Sequence, residues 1–312
     1  MRVMVTGGAG FIGSHLVDAL VERGDDVTVL DDLSAGRAAR LNERTDLIVG
    51  SVVAADLVAE AFDKARPDLV YHLAAQADVR ISMSAPAIDA SVNVLGTVIL
   101  LDLASRAGTP VVFASSGGAI HGGSITIPIS ENDAPEPISP YGTAKLCAEA
   151  YVRQFNLLYG TRHRILRLGN VYGPRQDPSG EAGVVSIFAR SVAAGVRPVI
   201  FGDGLQTRDF VYVADVVEAL VKAGRVEMPG VWNIGTGIES SLLDLLSAFS
   251  VLAGRAVKPV FRPARRGEAR RSCLAIEAAR RDLAYRPVAD VSEGVRKTYR
   301  WVIGGASDRY PC

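Results

Sequence analysis

A tyrosine and a lysine near the middle of the chain have the types and the spacing needed for proton transfer. Tyr141 and Lys145 lie four residues apart in a segment that opens with Pro140 and reads as a helix, so both side chains project from one face. A nearby ammonium group favours the phenolate and lowers the pKa of the phenol. The pair can therefore take a proton from a substrate hydroxyl while a hydride leaves the same carbon.

A tyrosine and lysine at this spacing are common on protein surfaces, so the pattern needs support from its surroundings. Ser115 and Ser116 follow the apolar run 110–114, which predicts a strand. Ligands of parallel sheets bind at the carboxyl ends of the strands. The two serines therefore place hydroxyl groups where a substrate of the Tyr–Lys pair would lie.

A glycine-rich turn opens the chain. Gly7, Gly10 and Gly13 follow a predicted strand at 1–5 and open a predicted helix at 13–23. Glycine permits a positive φ and leaves no Cβ where the backbone meets a pyrophosphate, whose charge faces the helix N-terminus. The pattern predicts a dinucleotide site.

One carboxylate indicates which dinucleotide is bound. Asp31 follows the predicted strand at 26–30. A carboxylate at this position accepts from the ribose 2′-hydroxyl and repels a 2′-phosphate, which favours NAD over NADP. Arg37 is of the type that accommodates a 2′-phosphate, but it lies beyond Asp31. We therefore predict NAD as the cofactor.

These residues need a scaffold that brings strand ends and helix starts to one edge. Further strands are predicted at 69–73, 110–114 and 164–168, and further helices at 55–65, 88–106 and 140–159. Continuous apolar strands separated by helices predict an α/β fold with a doubly wound parallel sheet of the Rossmann type. Residues 117–139 are predicted to form a long loop, and long loops are often functional.

The regular alternation of predicted strands and helices weakens after residue 168. We place an NAD-binding domain at 1–168, to which a segment near 209–235 returns, and a smaller, irregular substrate lobe mainly at 169–312.

The 34 basic and 34 acidic side chains give zero formal net charge, which argues against nucleic-acid or membrane-surface partners. Three widely spaced cysteines indicate neither a disulfide framework nor a metal site. The sequence shows no signal-peptide pattern, so we expect a cytoplasmic protein.

Further motifs, in a fixed order along nearly the whole chain, resemble those of extended short-chain dehydrogenases/reductases. Besides the glycine turn and the Tyr–Lys pair, they are VYHLAA at 70–75, NVLGT at 93–97 and GDGLQTRDF at 202–210. Within that superfamily the chain most resembles the UDP-sugar 4-epimerases, including those that act on UDP-glucose and UDP-glucuronate.

The resemblance implies roles for individual residues. Tyr141 would be the base, Lys145 would bind the nicotinamide ribose, and Ser116, or alternatively Ser115, would contact the sugar hydroxyl. Further NAD contacts are implied at Phe11, Ile12, Asp32, Leu33, Ser34, Leu73, Ala74, Ala75 and Asn93. The UDP moiety would contact Asn170, Val185, Arg208 and Arg265.

The implied reaction inverts C4 of a UDP-hexose through a transient 4-keto intermediate, with tightly bound NAD that is regenerated in each turnover. Dehydratases and decarboxylases of the superfamily carry acids directly after the Ser/Thr, where this chain has Gly117, Gly118 and Ala119. Epimerisation is therefore favoured. Two alternatives stay open: another NAD-dependent nucleotide-sugar oxidoreductase, and a non-catalytic NAD-sensing regulator. We expect a homodimer formed through the helices at 88–106 and 140–159.

Several residues allow two interpretations. Ser272 falls where some family members carry a bulky tyrosine, so N-acetylated and C6-oxidised sugars stay open as substrates. Arg80 and Arg175 could bind a C6 carboxylate or simply be surface charges. His121 could contact the substrate or be a half-buried loop histidine. The arginines of the basic loop are expected to be solvated, with a phosphate role reserved for Arg265; the others are Arg262, Arg266, Arg270 and Arg271.

Overall fold

The computed structural model describes residues 1–123, 126–177, 183–264 and 269–304. Its strands are β1 (Arg2–Thr6), β2 (Asp26–Asp31), β3 (Asp46–Val49), β4 (Leu69–His72), β5 (Val111–Ser116), β6 (Arg164–Leu168), β7 (Asn170–Tyr172), β8 (Val199–Phe201), β9 (Thr207–Arg208), β10 (Phe210–Tyr212), β11 (Gly230–Ile234), β12 (Ser240–Ser241) and β13 (Val260–Arg262). Seven of them form one parallel sheet in the order β11-β6-β5-β4-β1-β2-β3.

Helices connect the strands and cover the sheet. They are α1 (Phe11–Glu22), α2 (Ala55–Ala65), α3 (Val79–Ser84), α4 (Pro86–Ala90), α5 (Gly96–Arg106), α6 (Gly117–Ile120), α7 (Pro140–Tyr159), α8 (Val184–Ala193), α9 (Val213–Ala223), α10 (Leu242–Ala253), α11 (Glu277–Asp282) and α12 (Val291–Ile303). A 3₁₀ turn spans Ala38–Arg40, and a π-helical segment, Ser91–Leu95, joins α4 to α5.

The inner strands are largely apolar because both faces of the sheet are covered. On β1, Val3 and Val5 enter a hydrophobic cluster shared with α1 and α9, whereas Met4 enters a second cluster shared with α2, α5 and α7. This strict alternation follows from the pleat of a strand. The predicted α/β, doubly wound fold is confirmed.

The structure corrects three predicted boundaries. The first helix starts at Phe11 rather than residue 13, because Gly10 is already its N-cap. The helical stretch predicted from residue 88 starts at Pro86 and passes through the π-helical segment. The predicted loop 117–139 opens with α6, directly after Ser116. Among the described residues, Pro86–Arg106 is the one stretch long and apolar enough to cross a membrane, by length and composition alone.

The chain beyond Leu168 mixes one sheet strand with short strand pairs. Strand β11 lies beside β6 at the edge of the central sheet. The others pair as β7 with β10, β9 with β12 and β8 with β13. The division into an NAD-binding domain at 1–168 and a substrate lobe at 169–312 stays a proposal.

A buried chain of hydrogen bonds fixes the end of β4 against the end of β1. Thr97 Oγ1 donates to the Asn93 carbonyl at 2.7 Å, which leaves it to accept from Nε2 of His72 at 3.0 Å. The imidazole therefore carries its proton on Nε2, and its Nδ1 accepts from Thr6 Oγ1 at 2.7 Å. The Ala74 N–H donates to that same hydroxyl at 3.4 Å. The segment after β4 is thereby attached to the strand that leads into the glycine turn.

His72 makes the stability of the fold depend on pH. Burial, aided by the charge of Lys145, lowers the pKa of His72 to about 3. The unfolded chain has a histidine pKa near 6.5, so it binds more protons than the folded protein between these values, and stability falls as the pH falls. We predict that His72→Gln removes up to about 1.4 kcal/mol per pH unit of this slope between about pH 6 and 4.

The measurement is denaturant unfolding of both proteins across that pH range. Equal slopes for the wild type and the variant would contradict the prediction, because a histidine that is charged in the folded state adds no such slope.

Candidate active site

Four features of the predicted site lie at one edge of the sheet. The glycine turn follows β1, Asp31 ends β2, the segment 73–76 follows β4, and Ser116 ends β5. Because the strands are parallel and adjacent, these features share the carboxyl edge.

The glycine turn forms a cradle that suits a pyrophosphate. Gly7 has φ +72°, and a Cβ on it would lie 2.6 Å from the backbone nitrogen of Ala74. A Cβ on Gly13 would lie 2.1 Å from the Gly7 carbonyl oxygen. Gly10 is the N-cap of α1 and provides no side-chain cap, which leaves the first N–H groups of the helix available to an anion.

The carboxylate of Asp31, which is expected to bind the ribose 2′-hydroxyl, is held by backbone N–H groups. Asp31 is 6% exposed, and its two oxygens accept from the N–H groups of Ala9 at 2.9 Å and Leu33 at 2.8 Å. Burial raises the pKa of Asp31, while these two hydrogen bonds oppose the shift. Asp32 accepts from both the N–H and the hydroxyl of Ser34, and Leu33 turns the chain with φ +59°. The strand end thus curves around the carboxylate.

Asn93 acts through a neighbouring segment. Its amide nitrogen donates to the Gln76 carbonyl at 2.9 Å and to Asp89 at 3.0 Å, and its amide oxygen accepts from the Gln76 N–H at 3.1 Å. The side chain is 1% exposed. In the structure Asn93 binds the backbone of Gln76 in the segment 73–76 that follows β4, and the direct NAD contact that the resemblance implies stays a prediction.

The first turn of α7 contains Tyr141 and packs on α6, the short helix that directly follows β5. Ser139 caps the helix by accepting from the Gly142 N–H at 3.1 Å, and Pro140 occupies the first helical position. A Cβ on Gly142 would lie 2.3 Å from the Ala119 carbonyl, so this turn packs directly on α6. Tyr141 is half-buried and lies one helical turn before Lys145.

Lys145 is fixed beneath the end of β5. Its ammonium group donates to the Ala114 carbonyl at 3.0 Å and lies 4.8 Å from the centre of the Phe113 ring. The residue is 3% exposed. Lys145 lies one helical turn after Tyr141, so both side chains can project from one face of α7.

The two serines at the end of β5 have different surroundings. Ser115 is 3% exposed, and its hydroxyl donates to Glu149 at 2.6 Å. Glu149 is in turn buried against Arg167, with 2.8 Å between the charged atoms. Ser116 is half-buried and forms the N-cap position of α6 without bonding to it. The geometry therefore favours Ser116 as the serine that contacts a substrate, with Ser115 as its anchor.

Two residues of the second half of the chain lie close to Gly118, two residues after Ser116. Asn170 is exposed, and its N–H donates to the Asp209 carbonyl at 2.8 Å. A Cβ on Gly118 would lie 3.2 Å from the Ser272 hydroxyl and 3.8 Å from the Asn170 amide oxygen. Asn170 and Ser272 therefore lie beside the turn that follows Ser116.

The sequence model of the NAD dependent epimerase/dehydratase family matches residues 3–235. The chain belongs to this family. A UDP-glucose 4-epimerase of Mycolicibacterium smegmatis is 44% identical over 305 residues, 96% of this chain and 97% of that protein.

Solved structures agree with that assignment. The UDP-glucose 4-epimerase of Thermotoga maritima, solved with UDP-glucose, has a TM-score of 0.96 at 42% identity, covering 98% of this chain and 100% of that one. The Thermus thermophilus UDP-glucose 4-epimerase, solved with NAD, has a TM-score of 0.92 at 40% identity, covering 97% and 99%. The resemblance inferred from the motifs is confirmed.

Three residues expected to bind the UDP moiety have different outcomes. Val185 is 1% exposed in the hydrophobic core, whereas the adjacent Val184 is half-buried; the contact of Val185 with the uracil stays a prediction. Arg208 is half-buried in β9 and donates to the Thr207 carbonyl at 2.7 Å. Arg265 lies outside the described residues.

The two arginines considered for a C6 carboxylate are both engaged in ion pairs. Arg80 pairs with Asp78, and Arg175 pairs with Asp18 at 2.7 Å. Arg270 and Arg271 are likewise paired, with Asp203 and Glu239. Within the described ranges, no three His, Cys, Asp or Glu side chains cluster as metal ligands.

The buried ion pair below Ser115 was missed from the sequence. Arg167 binds Glu149 through two nitrogens, donates to the Glu131 carbonyl at 3.2 Å and lies 3.3 Å from Nε2 of His121. His121 is 2% exposed, which favours its structural role. Two features of the sequence indicate such a pair: a charge inside the apolar strand RILRL at 164–168, and Glu149 about two helical turns after Tyr141.

We predict that Glu149→Ala costs about 3–5 kcal/mol of unfolding free energy, because the Arg167 guanidinium would stay buried without a counter-charge. Chemical denaturation measures the loss. Glu218→Ala is the matched control, since Glu218 pairs with Lys222 one turn along α9 and these side chains are 44% and 27% exposed; its cost should stay below about 1 kcal/mol. Similar losses in both variants would contradict the structural role of the buried pair.

Proposed function

We propose that the protein is an NAD-dependent UDP-hexose 4-epimerase, an isomerase that keeps its NAD tightly bound. The carrying observation is that a dinucleotide cradle and a Ser116/Tyr141/Lys145 set share one sheet edge. Gly117 and Gly118 stand where an elimination would need acids. The names of the similar proteins, and the NAD and UDP-glucose in the similar structures, support the same activity.

In this proposal Tyr141 removes the proton from the C4 hydroxyl, Lys145 stabilises the phenolate, and Ser116 holds the sugar oxygen. Bound NAD supplies the acceptor, and after reduction the donor, of the C4 hydride. The resulting 4-keto sugar has to present its opposite face before hydride returns. The pocket must therefore be roomy beside the sugar, which fits the small residues Gly118 and Ser272.

UDP-glucose/UDP-galactose is the substrate pair that we favour over UDP-glucuronate/UDP-galacturonate. A C6 carboxylate would need a cation, and both Arg80 and Arg175 already bind acidic side chains. The diphosphate would be bound by Asn170, Arg208 and Arg265. The similar proteins at 42–44% identity are named UDP-glucose 4-epimerases.

We also propose a homodimer formed through α7 and the stretch 86–106. Ile88 and Leu95 are 58% and 50% exposed, seven residues apart on one helical stretch. Tyr151 and Leu158 are 43% and 59% exposed at the same separation on α7. Exposed apolar stripes of this kind mark interaction surfaces. The cytoplasmic location and the absence of nucleic-acid and membrane partners stay predictions.

Tyr141→Phe tests the proposal. We expect turnover to fall by about 100- to 10,000-fold, because the base is lost, while bound NAD is unchanged. The purified protein is incubated with UDP-sugars and no added NAD, and the C4 epimers are resolved by NMR. Tyr159→Phe, at the exposed end of α7, is the control and should keep full activity.

Three results would count against the proposal. Normal activity of Tyr141→Phe would remove Tyr141 as the base. Turnover that requires added NAD would indicate a net oxidoreductase. Bound NAD without conversion of any UDP-sugar would favour a regulator.

A further inference from the structure

The loop after β7 connects Asn170, a proposed substrate contact, to the residues around the glycine turn. Strand β7 starts at Asn170, and the described part of the loop runs from Gly173 to Asp177. Arg175 has φ +67°, a region that residues other than glycine rarely adopt. Such a conformation persists where surrounding contacts hold it.

The first of these contacts lie on α1, the helix that starts at the glycine turn. The His15 ring nitrogen Nε2 donates to the Pro174 carbonyl at 2.9 Å. One turn further along α1, Asp18 accepts from Arg175 at 2.7 Å. The loop is therefore fixed to the helix whose N-terminus faces the pyrophosphate site.

The second contact lies on the other side of the glycine turn. Asp177 pairs with Arg37, with 2.8 Å between the charged atoms. The Arg37 N–H donates to the Ala9 carbonyl at 3.0 Å, inside the glycine turn. Arg37 also follows Asp31, the carboxylate that would read the ribose. This ion pair therefore joins the loop after β7 to the segment that follows Asp31.

We propose that the ion pairs Arg37–Asp177 and Asp18–Arg175 form a latch that slows the release of NAD. The inference rests on the proposed function, because an epimerase uses one NAD through many turnovers and benefits from slow release. All four side chains are 25–30% exposed. Partly exposed ion pairs are modest in strength and weaken with salt.

The test measures NAD dissociation from the purified holoenzyme, by dilution and timed recovery of protein-bound NAD. Asp177→Asn and Asp18→Asn each remove one charge with little change in shape. We expect release about two- to fivefold faster in each variant, and roughly tenfold faster in both together. The exchange of charges in Arg37→Asp with Asp177→Arg should restore slow release.

A matched control breaks an ion pair away from the cleft. Arg2 and Asp68 pair at 2.6 Å at the starts of β1 and β4, the opposite edge of the sheet. Arg2→Gln should leave NAD release unchanged. Added salt should speed release from the wild type more than from the double variant, since only the wild type has the two ion pairs that salt would weaken.

The outcomes separate the latch from the proposed function. Unchanged release rates in the double variant, in protein that binds NAD, would overturn the latch and leave the epimerase proposal intact. A wild-type protein that binds no NAD would overturn the proposed function itself. Circular dichroism confirms the fold of each variant, and if one does not fold, release from the wild type that is insensitive to salt would still overturn the latch.

Discussion

The close approach of the glycine turn to the segment after β4 is the constraint on which the site depends. No Cβ fits at Gly7, because the backbone of Ala74 occupies that space. The hydrogen-bond chain through His72 holds the two segments at this distance from within the core. Three other parts of the site surround this contact: the N-terminus of α1, the carboxylate of Asp31 and the end of β5.

The catalytic side of the cleft is organised by one helix. Successive turns of α7 carry Tyr141, Lys145 and Glu149, and each turn meets a different part of β5 or its continuation. Lys145 binds the carbonyl of Ala114, and Glu149 binds the hydroxyl of Ser115. The helix of the proposed base Tyr141 and the serine pair are thus fixed to the same strand, which limits the freedom of both.

Patterns that depend on local chemistry were predictable from the sequence. The runs of apolar residues indicate strands that are buried on both faces, and the glycine spacing alone indicates the cradle. The choice between Ser115 and Ser116 was not predictable, because it depends on which hydroxyl meets Glu149 thirty-four residues away. Asn93 and Val185 were assigned from the resemblance, and only the tertiary packing shows that both side chains are buried.

In the proposed reaction a hydride leaves C4 and returns to the same sugar within one turnover. The most direct measurement uses UDP-glucose deuterated at C4, incubated with the purified protein and no added NAD. Mass spectrometry and NMR then follow the label in the UDP-galactose formed. We expect the deuterium to be retained at C4 of the product. Loss of the label to solvent, or product that forms only when NAD is added, would contradict the claim.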